Sequence, residues 1–253
     1  MPLFPIFTDI KNQHVLIVGG GAVALRKAEK LLAFGPEIQL VAPKVCPELE
    51  VLADQPAKPT NTDGKLGPEL EKRCAAAEDL AELSSTGAEE RLVKLRLCRR
   101  NYEDSDLEGA VLVVAASDNP DLNHGIAEKC LQRHIPCNVT DDKAYCTFQF
   151  PSLINRGELT VAVSTGGASP AAAAFLREKI EEFLPEDLDI ILEDLERKRT
   201  FFRSRFKTQP ERSRLARALF QEYMLLGRPF SDDEFRAWFE AAAGCCGRLN
   251  SRK

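Results

Sequence analysis

The chain has 253 residues, 44% hydrophobic and 29% charged, with a formal net charge of -5, a globular balance sized for one large or two smaller domains. That charge gives no global case for a nucleic-acid or membrane-surface partner, and no apolar run approaches the ~20 residues of a membrane helix. The opening MPLFPIFTDIKNQ lacks the basic region and apolar core of a secretory signal, so the cytoplasm is the expected compartment.

In chain order, Val15 to Val18 reads as a buried strand that runs into three glycines and then a helix pattern from Ala22 to Phe34. Gly19, Gly21 and Ala24 fit the dinucleotide fingerprint G-x-G-x-x-A. Gly19 permits the tight turn, Gly21 lets a pyrophosphate approach the backbone, and Ala24 lets helix and strand pack closely. The helix N-terminus offers free N–H groups and a positive dipole end. Gly19, Gly20, Gly21, Ala22 and Val23 are therefore the candidate cofactor contacts. The alternative is a glycine-rich turn that binds nothing.

The next strand, Ile38 to Val41, should end in an acidic residue if a ribose hydroxyl is held in the usual way. It ends in Ala42-Pro43-Lys44. Backbone and small groups, with Pro43 and Lys44 as candidates, must hold the adenosine ribose instead. Lys44 either tolerates a ribose phosphate or is a solvated loop lysine, so NAD is only modestly preferred over NADP.

Residues 53–90 break the rhythm. They are rich first in Pro, Gly, Asn and Thr, then in Ala and Glu, which predicts a surface insertion with one short helix. Val93 to Arg99 alternates as an edge strand does, and Ala110 to Ala116 suits a strand buried on both faces. Ser117-Asp118-Asn119-Pro120 caps a helix from about 120 to 133. Ile135 to Val139 is a further strand with Thr140-Asp141-Asp142 at its carboxyl end. Open α/β sheets bind ligands outside the carboxyl ends of their strands. Gly19–Ala22, Ala115–Asp118 and Asn138–Asp141 then define one crevice, with Ala116 and Ser117 as further cofactor contacts.

After Phe150 the character changes. Residues 151–154 and 159–164 predict a hairpin turned by Asn155-Arg156-Gly157-Glu158. A second glycine-rich helix entry, Thr165 to Pro170, leads into a helix from Ala171 to Leu184. It either binds an anion through its N–H groups or is a small-residue turn at a tight packing site. From Pro185 on, the sequence is helical and charged. Its basic stretch 196–206 is read as a solvated face with Phe201, Phe202 and Phe206 packed inward, in preference to a binding surface. The eight cysteines contain no C-x-x-C pair and read as reduced thiols rather than as a zinc site or disulfide framework. Cys130, Cys137 and Cys146 are expected to be core or site-lining.

These motifs together resemble the precorrin-2 dehydrogenase/sirohydrochlorin ferrochelatase family, the dehydrogenase part of siroheme synthase. The matching pieces are LFPIF (3–7), residues 15–35, VVAASDNPDLN (113–123) and residues 135–181; the insertion at 53–90 has no counterpart. The resemblance implies a Rossmann-like parallel sheet over 1–150, a dimerisation hairpin and helix over 151–184, and a helical C-terminal domain over 185–253. It implies a homodimer that oxidises precorrin-2 to sirohydrochlorin with NAD, and in bifunctional members inserts ferrous iron, as substrate, to give siroheme. The family's key aspartate, in N-V-x-D, falls on Asp141. The hydroxyl residue before Gly-Gly, a serine in some members, falls on Thr165.

The chemistry agrees. Oxidation of a tetrapyrrole needs a hydride acceptor, which a nicotinamide supplies, and a base, which a carboxylate at the crevice mouth supplies. Asp141 is the candidate, with Asp142 as rival and a turn-capping role as the structural alternative. It is also placed to accept pyrrole N–H protons as iron enters. Asn138, Thr165, Gly166 and Arg156 are candidate substrate contacts, and Lys143 and Arg177 further cations for the substrate's carboxylates. The three histidines, 14, 124 and 134, show no metal-ligand spacing, and a C-terminal histidine for chelation is lacking. The competing function is a non-enzymatic nucleotide-sensing or tetrapyrrole-carrying protein.

Overall fold

A computed structural model describes residues 3–54 and 95–249, with side chains described to Ala242. The insertion expected over 53–90 lies, beyond Asp54, outside the described residues. The chain forms two compact units, one ending at Phe150 and the other beginning at Pro151.

The first unit is a five-stranded parallel sheet of β1 (His14–Val18), β2 (Glu37–Val41), β3 (Leu95–Cys98), β4 (Leu112–Ala115) and β5 (Cys137–Val139), in the order β3-β2-β1-β4-β5. The chain winds outward from β1 to β3, then crosses back to β4 on the other side. The strand order therefore reverses between β1 and β4, the place where sheets of this kind open a crevice. β3 lies at the edge, as expected for the stretch from Val93, whose first two residues lie outside the described residues; Leu95 is buried, Arg96 exposed, and Leu97 and Cys98 half-buried.

Successive side chains on each strand point to opposite faces, and two cores result. Val15, Ile17, Ile38, Leu40 and Val114 pack under α1 (Ala22–Leu32) and α2 (Pro47–Asp54), which contribute Ala24, Ala28, Leu31 and Leu49. On the other face Leu16, Val18, Val113, Ala115 and Val139 meet Ile126, Ala127 and Cys130 of α3 (Pro120–Gln132). Strands buried on both faces account for the unbroken apolar runs of β1 and β4. The fit of helix to sheet rests on small residues: Ala24 and Ala28 are fully buried.

The ends of the elements follow local chemistry. The α1 pattern extends to Phe34, but the helix stops at Leu32. The Phe34 and Gly35 amides donate to Leu31 and Leu32 in a tightened last turn, and Gly35 takes φ 72°. α3 starts on Asn119, whose side chain accepts the Leu122 N–H at 3.2 Å, with Pro120 in the first turn, the expected N-terminal chemistry.

The second unit opens with an antiparallel hairpin of β6 (Ser152–Arg156) and β7 (Leu159–Val163). The Arg156–Leu159 pair leaves only Gly157 and Glu158 in the turn, two residues tighter at its start than the sequence suggests. α4 (Pro170–Phe183) packs on both strands. Three helices follow: α5 (Leu188–Arg205), α6 (Gln209–Leu226) and α7 (Asp232–Leu249). Ile191, Phe202, Leu215, Leu219, Tyr223 and Phe235 form their core, with Phe201 and Phe206 partly buried against it. The buried Asp194 carboxylate accepts the Tyr223 hydroxyl at 2.6 Å, so neither polar group is orphaned by its burial.

Candidate functional site

The carboxyl ends of β1, β4 and β5 are held in register. The Ala116 N–H donates to Val18 at 2.7 Å, and the Thr140 N–H donates to Ala115 at 2.9 Å. The three segments expected to form one crevice thus leave neighbouring strands at the same edge of the sheet.

The three glycines of the first turn have different surroundings. At Gly19, with φ 129°, a Cβ would meet the Ala116 carbonyl oxygen at 2.2 Å. At Gly20 it would meet the Lys44 carbonyl oxygen at 2.0 Å. These two glycines let the turn nest between the β4 end and the Pro43-Lys44 segment, and the Cys46 amide closes it on the Gly20 carbonyl at 2.8 Å. At Gly21 a Cβ would meet nothing within 4 Å. Gly21 is the N-cap of α1 and provides no side-chain cap. The first-turn N–H groups, at Ala22 and Val23, therefore stand at a helix end with open space before it, the setting in which anions bind. That space fits the pyrophosphate of a dinucleotide. Gly20 was expected only as a contact; its close packing shows that it is required for the turn itself.

At the β4 end, Ser117 is tied to α3. Its hydroxyl lies 2.7 Å from Asn123 Oδ1, its amide donates to the same atom at 3.2 Å, and the Asn123 amide group donates back to the Ser117 carbonyl at 3.0 Å. Asn123 is buried and fixes the loop beside Gly19. Sequence reading missed it, since an asparagine inside a helix gives no sign of what it faces.

At the β5 end, Asp141 and Asp142 separate clearly. Asp142 accepts the Ala144 amide at 3.0 Å, capping a 3₁₀ turn over Lys143–Tyr145, and lies 2.9 Å from His124 Nε2. His124 stacks on Tyr145 with ring centroids 3.9 Å apart. Asp141 is exposed, forms none of these contacts and holds φ at 62°. A non-glycine residue in the left-handed region is uncommon, and such strain gathers at functional sites. The capping alternative belongs to Asp142, and the available carboxylate is Asp141.

Asn138 is buried, and its amide donates to the Phe148 carbonyl at 3.2 Å and lies 3.5 Å from Cys146 Sγ. Cys146 Sγ also accepts the Val139 amide at 3.2 Å. Together they shape the segment that displays Asp141. Cys130 and Cys137 are buried in the core between α3 and β5.

Arg156, Thr165 and Gly166 lie in the second unit. Arg156 donates to the Pro185 carbonyl at 3.1 Å. The Thr165 hydroxyl donates to the Ser169 carbonyl at 3.0 Å and accepts the Ser169 amide at 3.1 Å. Ser169 caps α4 by accepting the Ala172 amide at 3.1 Å. This entry is thus closed by its own hydroxyls, unlike that of α1. Arg177 pairs with Glu181 at 2.5 Å and Glu178 at 3.1 Å.

Residues 6–152 match the family described as "Putative NAD(P)-binding", and residues 156–182 match "Sirohaem biosynthesis protein central". The chain is 38% identical over 185 residues to a siroheme synthase of Thioalkalivibrio sulfidiphilus, covering 73% of this chain and 30% of that protein. It is 34% identical over 220 residues to siroheme synthase 1 of Pectobacterium atrosepticum, covering 87% and 38%. A siroheme synthase of Nitrosospira multiformis is 31% identical over 244 residues, covering 95% and 44%. The chain spans about a third of the length of the first two of these relatives. The solved structure of SirC, precorrin-2 dehydrogenase, shares the fold with a TM-score of 0.61 at 20% identity, covering 96% of this chain and 100% of that one.

Proposed function

The chain belongs to the family of NAD(P)-binding modules that siroheme synthases contain, and on that premise we propose that it oxidises precorrin-2 to sirohydrochlorin with NAD. The observation that carries the reading is the open, uncapped N-terminus of α1 at Gly21. It lies at the same sheet edge as the exposed Asp141.

In this account Gly21, Ala22 and Val23 hold the pyrophosphate by backbone N–H groups. Gly19, Gly20, Ala116 and Ser117 form the rigid walls of the turn. Pro43 and Lys44 flank the adenosine, and the absence of an acid there leaves the ribose to backbone contacts. A nicotinamide held there would supply the hydride acceptor. Asp141 accepts the proton that the oxidised tetrapyrrole must release, and among the described residues neither a hydrogen bond nor an ion pair occupies its exposed carboxylate. Asn138 supports the substrate side through the segment it anchors. The same carboxylate serves a second reaction, accepting pyrrole protons as ferrous iron enters.

The assembly is a cytoplasmic homodimer formed through residues 151–184. Its support is the exposed apolar surface of α4, where Phe175 is 57% and Phe183 74% exposed, the kind of patch that marks an interface. The function is tested by anaerobic incubation with precorrin-2 and NAD. NADH formation is the expected result, and binding of NAD without NADH would make the protein a carrier.

A further inference from the structure

α1 turns Ala24, Ala28 and Leu31 toward the sheet. Lys27 lies on the border of that face and is half-buried. Its ammonium sits 3.8 Å from the centre of the Phe150 ring. Phe148 and Phe150 pack on the core beneath α1, so the segment that leaves β5 and carries Asp141 closes over this helix. Among the described residues neither a hydrogen bond nor an ion pair engages Lys27, whereas Lys129, Lys179 and Lys198 all have carboxylate partners.

A partly desolvated cation without a counter-ion is costly. The ring contact offsets only part, ~0.5–2 kcal/mol. Burial lowers the Lys27 pKa to about 8; Lys30 and Arg26 on the same helix push in the same direction, and Cys146 and Asp141 oppose them. An arriving anion would relieve the imbalance. The contact of the ammonium on the facing segment is Phe150, and Cys146 and Asp141 of the same segment act on its charge; all three belong to the segment after β5 rather than to the loops that flank the glycines.

We propose that Lys27 binds a peripheral carboxylate of the tetrapyrrole equally in the ground and transition states, so that its loss weakens substrate binding rather than turnover. The inference rests on the dehydrogenase reading above. Lys27 is a specificity-determining residue for acidic substrates, a task its helix position would otherwise give to an apolar side chain.

The test uses the full chain as wild type, Lys27→Met and Lys27→Arg, under anaerobic steady-state turnover of precorrin-2 with NAD. If the wild type forms no NADH, the dehydrogenase reading fails before Lys27 is reached. If it does, Lys27→Met should raise KM for precorrin-2 by about 10- to 100-fold, as loss of a charged hydrogen bond does. kcat and the KM for NAD should hardly change, and Lys27→Arg should recover most of the affinity. Because the cation is the binding form, wild-type KM should be lowest below about pH 8 and rise above it, while Lys27→Met stays flat. The groups facing this charge are Arg26 and Lys30 from α1, and Asp141, Cys146 and Phe150 from the segment after β5. An unchanged KM for precorrin-2 in a folded Lys27→Met protein overturns the proposal. So does a rise in the KM for NAD instead, which would assign Lys27 to the dinucleotide. Should Lys27→Met fail to fold, a wild-type KM that is level across pH 8 also overturns it.

Discussion

At the residue scale, the glycines at 19–21 differ in what a methyl group would do to them. Gly20→Ala drives a Cβ to 2.0 Å from a backbone carbonyl. It should lower stability by about 2–3 kcal/mol in thermal or urea unfolding, the upper range for overpacking. Gly21→Ala faces open space and should fold normally, while Gly21→Asp, which puts a negative charge against the phosphates, should abolish NAD binding by calorimetry. The two aspartates make a similar contrast. Asp141→Gly relieves a φ of 62° and should gain about 0.5–1 kcal/mol of stability, yet lower turnover by about 10²–10⁴-fold as loss of a general base does. Asp142→Ala removes a cap and should cost about 1 kcal/mol, with turnover retained within about tenfold. A urea titration and an NADH assay on the same samples check both. If Asp142→Ala were the inactive variant, the roles would be reversed. The fingerprint glycines were legible because their spacing encodes a turn. Lys27, Asn123 and the packing of Gly20 were not, because each depends on a neighbour from a distant segment.

At the scale of elements, one buried carboxylate joins three of them. Asp106, 3% exposed, sits in the 3₁₀ turn Asp104–Leu107 and accepts Gln39 of β2 at 2.9 Å. It also accepts Arg100, just past β3, at 2.8 and 2.5 Å, and the Glu103 amide at 2.9 Å. Burial alone would raise its pKa, but the hydrogen bonds from Arg100, Glu103 and Gln39 outweigh it and hold the carboxyl below the ordinary range. A carboxyl whose pKa is lowered by folding adds stability above its unfolded value, and that stability is lost as pH falls through the folded value. Asp106→Ala should therefore cost about 2–4 kcal/mol at neutral pH, less than the ~3–5 kcal/mol of a fully buried pair, because the Arg100 side chain is partly exposed. The difference from wild type, followed by urea unfolding, should shrink below about pH 4. A gap independent of pH would contradict the assignment. None of this was visible in the sequence, where Gln39 is one polar residue in a strand. β1, β4 and the hairpin were legible because their apolar runs are uninterrupted or cleanly punctuated. α2 was not, since Pro47–Asp54 is two turns long and offers only Leu49 as a buried contact. The helical tail was read as helical but not divided; the breaks fall at Phe206–Thr208 and at Gly227, which takes φ 72°.

At the scale of the whole molecule, the first unit supplies the dinucleotide turn and the carboxylate, and the second supplies a hairpin and an apolar helix surface. If α4 forms the dimer interface, Phe175→Glu together with Phe183→Glu should convert the protein to a monomer in sedimentation equilibrium, with the unfolding of the first unit unchanged. A dimer that survives both changes would move the interface elsewhere. The central claim is that the crevice oxidises a tetrapyrrole rather than merely holding one. Its most direct test is anaerobic precorrin-2 with NAD, following NADH and the tetrapyrrole spectrum for wild type and Asp141→Ala, with and without ferrous iron. The account predicts NADH and sirohydrochlorin from the wild type, siroheme when iron is added, and loss of both with Asp141→Ala. A wild-type protein that binds NAD and precorrin-2 but forms no NADH would contradict it.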